Sequence, residues 1–291
     1  MDLSQLQALA ATVDGGTLEA AARTLHVTPS AISQRIRALE NSVGSVLLAR
    51  SKPVVPTPAG VAYLRLARQI DALATDAAAE ATGTAEQLPR IPIAVNGDSL
   101  ATWVMPALAE LAGDMVFDIH REDQDHSAQL LRDGTVMAAI TTEARPVQGC
   151  TSVRLGAMRY RPVASPEFAE RWFASGVDAR SLAVAPVVVF DRKDDIQDRF
   201  LRSAGPGLTP PRHYVPVSAD FAEAVLLGFG WAMLPDQQSL EPEREGRLVE
   251  LSPTGHDTVV LHWQQWSLRT TALDRVAAAI AAAAARSLDQ S

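Results

Sequence analysis

The chain has 291 residues, enough for about two domains, and a hydrophobic content of 47% predicts packed cores rather than disorder. Its single cysteine, Cys150, excludes an intramolecular disulfide, and no hydrophobic run approaches the ~20 residues of a membrane span. With no signal peptide visible, we expect a cytoplasmic protein without a membrane segment. The net charge of −8 lies in residues 91–291, since residues 1–90 hold eight basic and eight acidic side chains. The amino-terminal part is therefore neutral overall, so a locally basic patch within it is compatible with DNA binding.

The first forty residues predict three helices. The first covers about residues 4–13, and its hydrophobic stripe consists of Leu3, Leu6, Leu9, Ala10 and Val13. The second, over residues 17–26, contains Ala21 and Ala22, which are small enough to let another helix approach closely. A tight turn at residues 26–28 then leads into a third helix. This order of support helix, short turn and further helix is the spacing of a helix-turn-helix.

The third helix, over residues 28–40, has the side chains of a DNA reader. Thr28 can serve as its N-cap and Pro29 can occupy the first helical position. One side is hydrophobic and would face the core: Ile32, Ile36 and Leu39. The other side is polar and basic: Ser30, Ser33, Gln34, Arg35 and Arg37. Such side chains bond base edges and phosphates, so we predict a recognition helix in the major groove that uses them together with Thr28.

Two short strands, over residues 43–48 and 54–55, predict a wing after this helix. Arg50, Ser51 and Lys52 lie at its tip. Because the tip follows the recognition helix directly, we favour phosphate contacts by Arg50 and Lys52 over a merely solvated hairpin.

A long helix over residues 58–82 is predicted next. Its hydrophobic positions alternate at spacings of three and four: Tyr63, Leu66, Ile70, Leu73 and Ala77. This spacing is typical of a coiled-coil seam, which predicts that two subunits pair as a homodimer or within a homotetramer.

From residue 91 onward, short hydrophobic strands alternate with helices, which predicts α/β architecture with parallel strands. The expected strands cover residues 91–95, 115–120, 136–140, 160–164, 187–190, 214–217, 231–234, 247–251 and 259–266. The expected helices cover residues 100–111, 128–132, 166–173, 196–202, 219–227 and 273–288, the last packing back on the first unit.

The predicted domain organisation follows from these elements. A winged helix-turn-helix occupies residues 1–60, and a linker helix and hinge occupy residues 61–89. A two-subdomain α/β domain with a cleft occupies residues 90–291, with subdomain I at about 90–160 and 268–291 and subdomain II at about 161–267. The fold class is α/β behind an amino-terminal helical domain.

Polar and acidic residues follow the predicted strands. Ligands of open α/β sheets bind beyond the carboxyl ends of the strands, where these loops meet. The loops carry Asp98, Ser99 and Thr102, then Glu122, Asp123, Asp125 and His126, then Thr141, Thr142 and Glu143, and across the expected cleft Asp191, Asp194 and Asp195. Ser99 can cap the helix that follows it, and the free N–H groups of that helix suit a carboxylate. For any single acidic residue a solvated surface remains an alternative, but their convergence favours an amino acid with a cationic side chain.

Enzyme motifs are missing from the sequence. It has no nucleophile elbow and no phosphate-binding loop, and Gly228-Phe229-Gly230 lacks the third glycine of a dinucleotide site. The six histidines show no paired metal spacing, and Cys150 has no partner. We therefore expect neither an enzyme nor a metal site nor a cofactor.

Residues 20–40, AAARTLHVTPSAISQRIRALE, followed by TPAG at residues 57–60, resemble the amino-terminal domain of LysR-type transcriptional regulators. The chain departs from the usual family pattern at Leu48, often Phe, and at Gln34-Arg35, often the reverse pair. The family resemblance implies a winged helix-turn-helix, a periplasmic-binding-protein-like effector domain, a double-stranded DNA operator and indirect action on RNA polymerase.

Four further stretches resemble the branch of that family that senses lysine and arginine and acts on an exporter gene: NGDSLATW, HREDQDHSAQLLRDG, LGAMRYRPVASPEFAERWF and GFGWAMLP. The resemblance implies that Ser99 and Thr102 hold the ligand carboxylate and that Glu122 and Asp123 hold its amino or side-chain group. From their positions after the predicted strands, Asp98 and Thr141 are also expected to bind the effector. Two alternatives stay open: a regulator of another small molecule, and an effector-independent DNA-binding protein such as an inhibitor of replication initiation. The sequence does not rank lysine against arginine, activation against repression, or dimer against tetramer.

Overall fold

The computed structural model describes residues 1–49, 51–82, 88–122 and 124–291, without the side chains of residues 79, 82 and 124–126. Two residues predicted to bind, Arg50 and Asp123, lie outside the described residues, as does the segment 83–87.

Three helices and a short hairpin form the amino-terminal domain: α1 (Leu3–Gly15), α2 (Leu18–Thr24), α3 (Pro29–Val43), β1 (Leu48–Ala49) and β2 (Val55–Pro56). Each helix begins at a side-chain cap, since Asp2, Thr17 and Thr28 accept hydrogen bonds from backbone N–H groups of the first turns. The caps and the 3–4 hydrophobic spacing explain why the three helices were predictable from the sequence.

The predicted first wing strand over residues 43–48 is wrong at its start. Helix α3 continues to Val43, because Val43 extends the stripe of Ile32, Ile36 and Leu39, and it ends at Gly44 in the left-handed conformation (φ 72°). Only Leu48 and Ala49 pair with the second strand, antiparallel to Val55–Pro56.

The linker helix α4 (Pro58–Thr82) is capped by Thr57, whose hydroxyl accepts the Gly60 N–H at 3.0 Å. Leu64 and Ala67 pack into the same core as Leu6, Leu9, Leu39 and Leu47, so the first turns of α4 belong structurally to the amino-terminal domain. Within the predicted seam, Tyr63 and Ile70 pack partly on this core and Leu73 is 43% exposed. The pairing of two subunits through the seam stays a prediction.

The described part of the carboxy-terminal domain contains nine strands: β3 (Arg90–Val95), β4 (Val116–Arg121), β5 (Ala138–Thr141), β6 (Cys150–Ala164), β7 (Val187–Val189), β8 (Arg212–Tyr214), β9 (Ala232–Pro235), β10 (Val249–Glu250) and β11 (Asp257–Trp266). The helices are α5 (Gly97–Ser99), which continues through a π-helical segment (Leu100–Val104) into α6 (Met105–Ala109), and then α7 (Gln124–Arg132), α8 (Pro166–Phe173), α9 (Ala179–Val184), α10 (Ile196–Ala204), α11 (Ser218–Leu226), α12 (Asp236–Arg244) and α13 (Thr271–Ser287).

A seven-stranded sheet joins two lobes, and β7 and β8 form a separate parallel pair. The sheet is mixed rather than parallel throughout as expected, because β6 pairs antiparallel with β9, β10 and β11. We call β3, β4 and β5 with α5–α7 and α13 the first lobe, and β7–β10 with α8–α12 the second lobe. In the first lobe β3 pairs in parallel with β4 and β5. The long strands β6 and β11 run antiparallel through both lobes: β11 pairs with β5 at one end, and β6 pairs with β9 and β10 at the other. The cleft therefore opens where these two strands pass between the lobes.

Several element predictions need correction. Strand β6 begins at Cys150 rather than at residue 160, and helices α9 and α12 were not predicted. The expected strand over residues 214–217 is instead β8 (Arg212–Tyr214), and Val217 is the N-cap of α11. Arg154, Gly156 and Arg159 interrupt the hydrophobic run of β6, and the polar α12 lacks hydrophobic periodicity, so the sequence carried little signal for either.

The final helix α13 packs on the first lobe, as predicted, where it contacts α6, the π-helical segment and β6. Leu273, Val276 and Ile280 are fully buried in this contact. Among the described helices none combines the length and hydrophobicity of a membrane span.

Candidate functional site

The exposed side of α3 presents hydroxyl, amide and guanidinium groups together. Thr28 Oγ1 accepts the Ala31 N–H at 3.2 Å and lies 3.0 Å from Ser30 Oγ, so both hydroxyls are held at the start of the helix. Gln34 and Arg37 are exposed, whereas Ser33 and Arg35 are half-buried. Within the described ranges, no hydrogen bond or ion pair engages the guanidinium of Arg35 or Arg37, which leaves both available to nucleic acid.

The acidic residue at the end of α3 and the wing are both tied to backbone groups. Glu40 Oε1 accepts the Leu47 N–H at 2.8 Å, which fixes the start of the wing. Val54 N donates to Gly16 O at 2.9 Å, so the returning strand rests on the turn between α1 and α2. Lys52 is exposed beside this anchored strand. The structure thus presents Lys52 and the polar side of α3 without assigning either a nucleic-acid contact.

A cavity of about 320 Å³ lies between the two lobes. Among the described residues, five carboxylates line it, from both lobes: Asp98, Glu122, Asp191, Asp194 and Asp195. Lys193 and Arg199 accompany them, and hydrophobic side chains complete the wall, among them Phe190, Ile196, Phe221, Met233 and Val259. The acidic loops after β3, β4 and β7 converge here as predicted, whereas the loop with Glu143 after β5 is not on the lining. The cavity suits a ligand with a positive end and an apolar stem.

Asp98 joins the strand β6 and the second lobe. Tyr160 Oη donates to Asp98 Oδ2 at 2.7 Å, and Ser218 Oγ donates to Asp98 Oδ1 at 2.7 Å. Gln238 Nε2 in turn donates to Ser218 Oγ at 3.1 Å. Burial, and then the charge of Asp98, raise the pKa of Tyr160 well above its usual value, so the phenol stays protonated and serves as a donor. Neutral hydroxyls hold Asp98 in place and leave its negative charge uncompensated.

Asp194 is a partly desolvated carboxylate in the second lobe. Its oxygens accept the backbone N–H groups of Phe190 at 3.2 Å and Ile196 at 3.1 Å. Burial raises the pKa of Asp194 above its usual value, and these backbone hydrogen bonds only partly oppose that effect. A cation beside this carboxylate would favour its charged form, which makes Asp194 a suitable partner for a ligand ammonium or guanidinium.

The cationic side chains of the cavity do not cancel its negative charge. Arg199 is already paired, with Asp257 at 2.6 Å and with Asp195. Lys193 is exposed at the rim. Asp191 accepts the N–H groups of Lys193 at 2.6 Å and Asp194 at 3.0 Å, which bind its carboxylate without neutralising it. The inner wall is therefore negative.

Three predicted effector residues, Ser99, Thr102 and Thr141, are not on the lining of this cavity. Ser99 is fully buried and does not cap a helix, so that prediction is wrong: the helix begins after Asn96, and Ser99 is already helical. Thr102 Oγ1 donates to Asp98 O at 2.6 Å, and Thr141 Oγ1 accepts the Glu143 N–H at 3.2 Å. Both hydroxyls have local structural partners instead.

Asn96 and Tyr160 were not predicted as site residues from the sequence. Both line the cavity, and the side-chain oxygen of Asn96 is buried without a hydrogen-bond partner among the described residues. Asn96 directly follows β3, the position where site residues of α/β sheets gather, so its location carried a usable signal. Tyr160 lies in the middle of β6 and is brought to the cavity by tertiary packing alone.

Family comparisons agree with this arrangement of a DNA-reading head and a two-lobed cleft. Residues 3–61 match the family described as bacterial regulatory helix-turn-helix protein, lysR family, and residues 85–285 match the LysR substrate binding domain. The chain belongs to the LysR family of bacterial transcriptional regulators.

Individual relatives extend over the whole chain. It is 45% identical over 286 residues to the HTH-type transcriptional regulator LysG of Mycobacterium tuberculosis, covering 98% of this chain and 94% of the relative. It is 37% identical over 292 residues to the lysine export transcriptional regulatory protein LysG of Corynebacterium glutamicum, covering 99% of both chains.

Two solved structures share the complete architecture. The crystal structure of ArgP from Mycobacterium tuberculosis matches with a TM-score of 0.91 and 44% identity, covering 100% of both chains. Full-length LysG from Corynebacterium glutamicum with bound effector arginine matches with a TM-score of 0.81 and 35% identity, covering 99% of this chain and 100% of that one.

Proposed function

We propose that this LysR-family regulator takes a basic amino acid, arginine or lysine, into the cavity between its lobes and thereby changes its action on an operator. The observation that carries the proposal is the convergence of carboxylates from both lobes, with Asp98 and Glu122 on one side and Asp191 and Asp194 on the other. A ligand with two positive groups interacts with both sides at once and favours closure of the lobes.

The two ends of such a ligand have separate partners in this proposal. The α-amino group meets Asp98. The α-carboxylate meets the backbone N–H groups of residues 97–99, which precede the first helical hydrogen bond, from Leu100 N to Asn96 O. The aliphatic stem lies against Phe190 and Met233, and the cationic end meets the carboxylate of Asp194.

Operator binding is assigned to the recognition helix and the wing. We propose that Thr28, Ser30, Ser33, Gln34, Arg35 and Arg37 enter the major groove and that Arg50 and Lys52 contact the flanking phosphates. Two subunits paired through α4 would place two such helices on successive half-sites. The dimer or tetramer, the indirect contact with RNA polymerase and action in the cytoplasm belong to the same proposal.

The relatives support the choice of ligand and target. LysG of Corynebacterium glutamicum is named a lysine export regulator, and LysG of the same organism was solved with bound arginine. We therefore propose a basic-amino-acid exporter gene as the target, with activation as the response. An effector-independent role, such as inhibition of replication initiation, would not require a negatively charged cavity between the lobes. A neutral or acidic effector is disfavoured as well, because it would leave the carboxylates of the cavity uncompensated.

Calorimetry with the purified protein tests the ligand assignment. We expect arginine and lysine to bind and norleucine, which keeps the stem but lacks the second cation, to bind at least tenfold more weakly. The variant Asp194→Asn should lose most of that difference, whereas Asp220→Asn, at an exposed position of α11, should keep it. Equal affinity for norleucine and lysine in the wild type would overturn the assignment.

A further inference from the structure

We propose that Arg65 of the linker helix is a positioning residue that couples the effector domain to the DNA-binding domain, because it docks in a socket at the start of β6. The inference rests on the proposed function, since coupling requires an effector in the cleft. Among the described residues, those that hold Arg65 do not line the cavity.

The socket is formed by backbone and sulfur acceptors. Arg65 Nη1 donates to Gln148 O at 2.8 Å, and Nη2 lies 3.7 Å from the sulfur of Cys150. Burial raises the pKa of the Cys150 thiol, so the sulfur stays a neutral, weak acceptor. The guanidinium of Arg65, on the linker helix, is thus held by Gln148 and Cys150 at the start of β6 in the effector domain.

Two glycines leave space for this arginine. Gly134 and Gly149 both adopt left-handed backbone conformations, with φ of 69° and 74°. A Cβ on Gly134 would lie 2.8 Å from Arg65 Cα, and a Cβ on Gly149 would lie 2.8 Å from Arg65 Nη2. A side chain at Gly134 would push against the backbone of the linker helix, and one at Gly149 would displace the guanidinium of Arg65, so the effector-domain surface is shaped to receive this arginine.

A second contact lies on the same side of α4. Asp76 accepts the Thr271 N–H at 3.0 and 3.2 Å, at the beginning of α13. Arg65 and Asp76 are eleven positions apart, about three helical turns or roughly 16 Å along the axis. The linker helix is therefore docked at two points on one face, whereas Arg68, one turn after Arg65, pairs with Asp14 of its own DNA-binding domain.

The socket and the cleft are parts of one strand. Strand β6 runs from Cys150 at the socket to Tyr160 at the cavity, about 33 Å at 3.3 Å per residue. Along this length it pairs with β11, from Cys150 opposite Trp266 to Tyr160 opposite Asp257. Tyr160 holds Asp98 in the cavity. A change in lobe closure that moves β6 thus acts on Arg65, and the linkage is reciprocal between the two sites.

The experiment measures operator affinity with and without arginine in the full-length protein. Coupling typically changes affinity by about 5- to 150-fold. For Arg65→Ala we expect the ratio of operator affinities with and without arginine to fall to within about twofold of one. Calorimetry without DNA should show an arginine affinity within threefold of wild type. Arg68→Ala, the matched control, should keep the wild-type ratio. A wild-type ratio in Arg65→Ala overturns the proposal.

A second variant and a ligand-free readout keep the inference separate from the proposed function. Gly149→Ala closes the socket from the effector-domain side and should reproduce the Arg65→Ala result. Without any ligand, amide hydrogen exchange in peptides covering residues 147–152 should be faster in both variants than in wild type and Arg68→Ala. Unchanged exchange in Arg65→Ala overturns the docking role. Faster exchange in a protein that binds no arginine supports the docking and overturns only the ligand assignment.

Discussion

Ser218 and Asp98 join the two lobes of the effector domain across the cleft. Ser218 Oγ, at the start of α11, donates to Asp98 Oδ1, just after β3, at 2.7 Å, and 120 positions separate the two residues. The same carboxylate accepts from Tyr160 on the connecting strand. Lobe closure and the charge of the ligand therefore both act on the carboxylate of Asp98, which makes it the first residue to test.

Replacing Asp98 with Asn should weaken arginine binding by roughly 10- to 100-fold. The change removes the negative charge, and hydrogen bonds to charged groups contribute about 1.5–3 kcal/mol. Calorimetry on Asp98→Asn and on the exposed control Asp220→Asn gives the comparison. An Asp98→Asn protein with wild-type arginine affinity would mean that the ligand contacts other carboxylates.

Arginine binding should weaken as the pH falls below neutrality. The sign follows from Asp194: its pKa is raised by burial, so it protonates at a higher pH than an ordinary carboxyl group, and only its charged form attracts a cation. Binding of the cation favours the charged form and therefore releases protons. Calorimetry in two buffers of different ionisation enthalpy measures that release.

The Asp194→Asn variant supplies the control for this pH dependence. Its affinity should be lower at neutral pH and should vary less between neutral and acidic pH than that of the wild type. If wild type and variant show the same pH dependence, another group is responsible.

Arg35→Ala should cost about 1–3 kcal/mol of operator affinity if the guanidinium meets a base edge, and it should relax sequence preference at one position. Arg35 is half-buried on α3 without a protein partner among the described residues, so its loss should leave folding intact. Fluorescence anisotropy with operator variants at several salt concentrations measures both effects. Arg171→Ala, an exposed change on α8, should leave them unaltered. Uniform weakening over all sequences, with a salt slope reduced by about one, would instead assign Arg35 to a phosphate.

Gly60→Ala should destabilise the DNA-binding domain by about 1–3 kcal/mol, the usual cost of overpacking. A Cβ at this position would lie 1.9 Å from the carbonyl oxygen of Leu47, a backbone atom between α3 and the wing. Thermal unfolding should show a lower first transition, while arginine affinity stays unchanged. Gly113→Ala, where a Cβ meets no atom within 4 Å, is the matched glycine control. A Gly60→Ala protein as stable as wild type would show that α4 can move relative to the wing without loss of stability.

Local patterns predicted the DNA-reading head well. Thr28, Pro29 and the hydrophobic positions from Ile32 to Leu39 are short-range signals, and the structure has the cap, the helix and its buried face where they indicate. The acidic loops were also predictable, because strand ends of parallel sheets converge whatever the details of packing.

Sequence patterns failed to predict the structure where tertiary packing determines it. The first ten residues of β6 lack regular alternation, and their strand conformation depends on pairing with β11. The placement of Tyr160 beside Asp98 joins residues 62 positions apart, a contact that neither residue's local sequence indicates. Ser99 was taken for a cap because it is the usual residue type, but the helix begins three residues earlier, after Asn96.

A basic amino acid in the interlobe cavity should change operator binding. Fluorescence anisotropy with labelled DNA from the intergenic regions beside the protein's own gene tests this directly, in buffer alone and with arginine, lysine or norleucine. We expect sequence-specific binding whose half-saturation concentration is shifted by arginine or lysine and unchanged by norleucine. Identical titrations under all four conditions, or no specific binding in any of them, would contradict it.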